Sequence, residues 1–169
     1  MKTSHIAAPL AALAIVSLAA PTEARADFMI GLDINYLGTV STDSDTVQTS
    51  PGAFGWGPRI GYEIPVAFLY LRPEAGLTFA HFDTHSDTRL YGGARLGFDS
   101  LISPAVYAHI GEGWYNVASP SYNDFTWDFG GALDVRLPVV AVGVHVGMDQ
   151  NPQVSPSWVN VGAHAELRF

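Results

Sequence analysis

Charged residues recur at even spacing along this chain. Arg72 and Glu74, Asp134 and Arg136, and Glu166 and Arg168 stand two apart, and Arg59 and Glu63 stand four apart. On a β-strand, even spacing puts side chains on one face. Arg95 and Asp128 fall on the same parity as these pairs. A guanidinium fork can bridge two carboxylates, and a buried charge persists only when paired and hydrogen-bonded. The spacing therefore predicts a network of arginines and carboxylates, paired along each strand, on one shared face.

Other groups suit other chemistry. His109, His145 and His164 fall on that same face. They could join a metal site or a proton relay, but hydrogen bonding within a polar interior is the reading preferred for them. His81, His85, Asp83 and Asp87 crowd one loop and have donors for a divalent cation, at a spacing that chance often supplies. Asp43-Ser44-Asp45 resembles a piece of a calcium loop without its glycine or final glutamate. No nucleophile stands beside an aligned base. The sequence thus assigns no catalytic residue, no cofactor and no metal.

Eight segments can position these groups. The last eleven residues alternate without a break: Val159, Val161, Ala163, Ala165, Leu167 and Phe169 against Asn160, Gly162, His164, Glu166 and Arg168. The same two-residue period marks strands at about 28–37, 54–64, 67–81, 89–99, 104–115, 125–137 and 139–148. Strand 104–115 has one blemish. Glu112 falls on the apolar parity, so either a bulge near Gly111 or Gly113 turns it inward or it lies beyond a bilayer. Connections alternate in length. Residues 39–53, 82–88, 116–124 and 149–157 read as loops, and Pro65, Ser100–Ser103 and Pro138 mark tight turns.

The contents of the two faces decide which way they point. The polar parity carries Arg59, Arg72, Arg89, Arg95, Arg136 and Arg168. It also carries thirteen of the seventeen glycines: Gly31, Gly55, Gly57, Gly61, Gly76, Gly93, Gly97, Gly111, Gly113, Gly130, Gly143, Gly147 and Gly162. Glycine weakens a strand unless something must approach closely. Inside a narrow barrel it makes room for arginine and tyrosine; on a wet surface it would have no purpose. The polar face should point inward and the apolar face toward lipid. This reverses a soluble lipocalin-like barrel, the main structural rival. Aromatics agree: Trp56, Trp114, Trp127 and Trp158 lie near the long-loop rim, although Trp158 falls on the inward parity or in the loop. Phe28, Tyr62, Phe98 and Phe169 lie near the short-turn rim, as two interfacial girdles would.

Residues 1–26 read as a cleaved secretory signal: Lys2, an apolar run from Ile6 to Ala20, and Ala24-Arg25-Ala26 before Asp27. Without Lys2, Arg25 and Glu23, six basic residues face fifteen acidic ones, a net charge of −9. All six are arginines, and no basic patch suits nucleic acid. There is no cysteine. No other apolar run is long enough for a spanning helix, so a membrane could be crossed only by strands. The expected fold is all-β: an eight-stranded antiparallel up-and-down transmembrane barrel over 27–169, with polar lumen and apolar exterior.

In strand number, loop alternation, leader and terminal strand, the mature chain resembles the small eight-stranded outer membrane barrels of Gram-negative bacteria, the OmpA, OmpX and OmpW-like group. The resemblance implies a place in the outer membrane, reached through the periplasm, with the bilayer as partner. It also implies that Phe169 and Leu167, with Ala165, Ala163 and Val161 behind them, address the barrel-assembly machinery. That family holds anchors, adhesins, small channels and a few lipid-modifying enzymes, so fold does not choose among them. The enzymes use a histidine and a serine on the lipid-facing surface; here Thr84-His85-Ser86 lies in a loop. The expected role is structural or surface-interacting and not enzymatic, with a lumen closed by the Arg–carboxylate network and an unknown surface ligand. A narrow channel for water, ions or small solutes is the alternative. Asp43, Asp45, Asp83, Asp87, Asp124 and Asp149 are expected to make the loop rim negative.

Overall fold

The computed structural model describes residues 27–40, 52–82, 86–116, 122–151 and 154–169. The leader, Asp43, Asp45, Asp83, Thr84 and His85 lie outside the described residues.

Eight strands follow in chain order: β1 (Asp27–Val40), β2 (Ala53–Val66), β3 (Leu69–His81), β4 (Ser86–Phe98), β5 (Ile102–Asn116), β6 (Tyr122–Arg136), β7 (Val140–Asn151) and β8 (Val154–Arg168). Each pairs antiparallel with its neighbours, and β8 returns to β1, so the sheet closes as a barrel without an edge. Closure runs from Met29 opposite Arg168 to Val40 opposite Ser157. At the end, Phe28 and Phe169 exchange backbone hydrogen bonds of 3.2 and 2.9 Å. At 12–15 residues these strands are longer than the roughly 5–6 residues usual in soluble sheets, and they suffice to cross a bilayer when tilted.

The alternation read from sequence is the alternation of burial. In β2, every second residue from Ala53 to Glu63 is buried and every intervening one exposed. Outside are Ile30, Leu32, Ile34, Ile60, Val106, Ile110, Leu133 and Val144; inside are Asp33, Arg59, Arg72, Glu74, Arg95, Asp134 and Glu166. A soluble lipocalin-like barrel would have the opposite arrangement. This partition is stable only where the outer solvent is apolar.

Several boundaries move. Residues expected in loops extend the strands: β1 reaches Val40, β4 begins at Ser86, β6 begins at Tyr122, and β7 and β8 leave only 152–153 between them. Polar side chains there concealed ladder-forming backbone. The turn near Pro65 lies at Ala67–Phe68, where Ala67 takes a left-handed φ of 56° and Pro65 still pairs with Tyr70. Glu112 is not turned inward by a bulge. The β4–β5 register runs continuously through Leu90 opposite Glu112, and the β5–β6 register through Glu112 opposite Phe125. Glu112 stays on the outer face, where it accepts a 2.5 Å hydrogen bond from Asn123 Nδ2 near the long-loop rim. Trp158 does not join the outer girdle. It packs edge-on against Phe82 at 5.0 Å, beside the buried cluster of Ala53, Ala80 and Phe82 inside the mouth.

Candidate functional site

The lumen is the candidate site, because every strand sends polar side chains into it. Near the short-turn end, Arg136 Nη2 donates to Glu63, and Arg136 Nη1 lies 3.1 Å from Asp99. Arg168 Nη2 reaches Asp27 at 2.7 Å and Glu63 at 3.2 Å. The Arg136 guanidinium also covers the Tyr70 ring at 4.4 Å.

At mid-lumen, Arg72 and Arg95 stand directly opposite each other across β3 and β4. Like charges so placed repel. Glu74 resolves the conflict, with one oxygen 3.0 Å from Arg72 Nε and the other 3.4 Å from Arg95 Nε. Each arginine has a second carboxylate: Arg72 has Glu166 at 2.8 Å, and Arg95 has Asp134 at 3.4 Å. Arg59 joins Glu166 and lies 3.3 Å from Asp33. Arg72 is 2% exposed and Arg95 1%. His109 spans Glu74 and Asp128, 2.8 Å from each. Toward the mouth, Arg89 binds Asp128 at 2.5 Å and Asp149 at 2.7 Å.

All ten residues expected in the network thus line the lumen, but most pair differently from the expectation. Only Arg72 and Glu74 pair along one strand. Arg59 does not meet Glu63, Asp134 does not meet Arg136, and Glu166 does not meet Arg168 among the ion pairs described. Residues two apart on a strand are separated by nearly 7 Å of rise, whereas a narrow lumen brings facing strands within a side chain's reach. Cross-barrel pairing therefore wins. The sequence reading also placed Asp149 on the acidic rim. It lies in β7 with its charge shared by Arg89, and Asp124 is buried in β6 and accepts from the Phe125 N–H.

Asp33 and Arg89 were not among the ten residues named for the network, although their parity pointed inward; His109 hydrogen-bonds within the polar interior, the reading preferred for it. Glycines shape the space around the rings. A Cβ at Gly97 would lie 2.6 Å from the Tyr70 ring, and one at Gly76 would lie 2.5 Å from the Tyr91 hydroxyl. Cβ atoms at Gly130 and Gly147 would come within 2.5 and 2.4 Å of the Tyr107 hydroxyl. The larger side chains thus fill what glycine leaves. Among the described residues, small cavities lie above this layer. One of about 40 Å³ is lined by Asp33, Arg89, Tyr107 and His145, and one of about 80 Å³ lies at the mouth beside Phe82 and Trp158. Ser100 is exposed and Ser103 is fully buried; both donate to backbone carbonyls, and among the described residues no base holds either.

No family model and no curated protein matches the chain. Solved structures do. Neisserial surface protein A aligns with a TM-score of 0.58 at 13% identity, over 84% of this chain and 97% of that one. Ail, the attachment invasion locus protein of Yersinia pestis, aligns at 0.53 and 14%, over 88% and 100%. The N-terminal β-barrel domain of Pseudomonas aeruginosa OprF aligns at 0.54 and 15%, over 82% and 97%. At such identities the likeness concerns fold: this chain has the closed, antiparallel fold of the eight-stranded outer membrane barrels.

Proposed function

We propose that the chain is an integral outer membrane protein with a structural or surface-interaction role. Residues 1–26 act as its export signal, and the barrel from Asp27 to Phe169 anchors the longer connections at the cell surface. The observation that carries this reading is the partition of the barrel wall. Apolar side chains cover its outside, while its charges are paired within. Such an exterior favours lipid, and charges paired across a narrow interior support a closed lumen over an open one.

The role is not enzymatic in this reading, and the lumen acts as a plug. Binding belongs to the connections on the long-loop rim, since loops on a rigid scaffold carry function. Ail has been solved with sucrose octasulfate, a heparin analogue. A polyanion suits this chain poorly, because from Asp27 onward fifteen acidic residues oppose six arginines and the lumen arginines already hold carboxylates. A neutral or cationic surface partner fits better. Phe169 and Leu167, exposed at the end of β8, serve as the address for barrel assembly.

Fractionation tests the proposal. The protein should travel with the outer membrane, resist extraction by salt and carbonate, and begin at Asp27 by mass spectrometry. Protease added to intact cells should cut only in the long connections. Release by salt without detergent would refute the reading.

A further inference from the structure

One cluster in the lumen has polar atoms that no hydrogen bond uses. Asp33 on β1, His145 on β7 and His164 on β8 are all buried, and one ligand atom from each lies within 4.8 Å of the others. Asp33 Oδ1 is 3.7 Å from His145 Nδ1 and 4.0 Å from His164 Nδ1. None of these three atoms has a hydrogen-bond partner. Other buried polar atoms of the lumen also lack hydrogen-bond partners, but these three belong to metal-ligating side chains and converge on one point, which suggests a missing guest. We propose that they form a binding site for a divalent transition-metal ion of the Zn²⁺ class, held by two imidazoles and one carboxylate.

The ligand set is a known one for such ions, and it leaves a coordination position for water. Ligands about 2.0–2.1 Å from a tetrahedral ion are separated by about 3.3 Å. The present spacing requires a contraction of roughly 1 Å, within reach of small side-chain rotations. The surroundings fit too. Asp33 turns its other oxygen toward Arg59 at 3.3 Å, which leaves Oδ1 available. His164 Nε2 lies 3.0 Å from Asp134 Oδ1 without a hydrogen bond between them, and a small rotation would create the carboxylate–histidine arrangement that orients metal-bound imidazoles.

Glycines make room for both rings. A Cβ at Gly162 would lie 2.5 Å from His145 Nε2, and a Cβ at Gly143 would lie 2.7 Å from His164 Nε2. The cavity of about 40 Å³ that touches Asp33 and His145 gives space for the bound water. It shares Asn35, Thr78, Arg89 and Asn160 with the mouth cavity, which marks the entry path. A bound ion would tie β1 to β7 and β8 across the seam where the barrel closes.

The test is titration of the folded barrel in detergent micelles with Zn²⁺ alone, against a chelating indicator. Folding of every variant is checked by its heat-modifiable migration. The wild type should bind one equivalent. His145→Asn and His164→Asn should each weaken binding by more than the ~10–100-fold that loss of an orienting group costs. His81→Asn, on the exterior, should leave it unchanged. Zn²⁺ should raise the unfolding temperature of the wild type and not of His145→Asn. If the histidine variants do not fold, Cu²⁺ bound to the wild type decides the matter by electron paramagnetic resonance. Hyperfine structure from two imidazole nitrogens is expected, and oxygen-only ligation would overturn the proposal. It would equally be overturned by a folded wild type without saturable Zn²⁺ binding, or by binding that persists in both histidine variants.

Discussion

Glu74 is the residue whose loss should damage the barrel most. Its two oxygens separate Arg72 from Arg95, which face each other across β3 and β4, and one of them also meets His109 at 2.8 Å. At an effective dielectric of about 20, a contact near 3 Å is worth roughly 5 kcal/mol before desolvation. Removing one partner of a buried pair nets about 3–5 kcal/mol, because the other charge remains buried. Glu74→Ala leaves Arg72 with Glu166 alone and Arg95 with Asp134 alone, so about 3–5 kcal/mol should be lost. Glu74→Gln keeps the shape and some acceptors but not the charge, and should lose about 1.5–3 kcal/mol. The assay is urea unfolding of the barrel in lipid vesicles, followed by tryptophan fluorescence. With a slope of about 2 kcal/mol per molar, Glu74→Ala should move the midpoint down by roughly 2 M. A loss below about 1 kcal/mol would refute the reasoning, since that is the value of a solvated surface pair.

Two further predictions concern the wall. Val144 is 56% exposed at mid-strand, opposite Leu133 and Ala163, so Val144→Arg should cost about 2–4 kcal/mol in vesicle unfolding if lipid covers it. Gly93 and Gly92 are neighbours with opposite fates. A Cβ at Gly93 would lie 2.1 Å from the Ala108 carbonyl oxygen, whereas the nearest atom to one at Gly92 is 3.9 Å away. Gly93→Ala should lose about 1–3 kcal/mol in the same assay, and Gly92→Ala should stay within about 0.5 kcal/mol.

The strands were legible because a barrel wall imposes one rule on every residue. A period of two with glycine and polar residues on one parity and apolar residues on the other is hard to produce otherwise. β2 and β7 show it almost without exception. Their ends were less legible. Asp149, Asn151 and Ser86 are polar and read as loop, but beyond the bilayer a strand can continue with polar residues on both faces. Parity pointed to the inward-facing residues but, apart from Arg72 with Glu74, not to their partners. Arg136 meets Glu63 and Asp99, and Arg95 meets Glu74 and Asp134, because the tilt and stagger of the barrel set those meetings. The same holds for Asp33, which joins His145 and His164 only once β1 closes on β8. Glu112 stays on the outer face with Asn123 as its neighbour across the strands, a placement that a bulge was not needed to produce.

The central claim is that the interior charges close the lumen of a membrane barrel. Single-channel recording of the purified wild-type protein in a planar lipid bilayer tests it most directly. The account predicts stable insertion with no discrete conductance steps, because in the proposed plug Arg59, Arg72 and Arg95 are bridged across the lumen by Glu74, Asp134 and Glu166. Reproducible steps of uniform size from the folded wild type would contradict it.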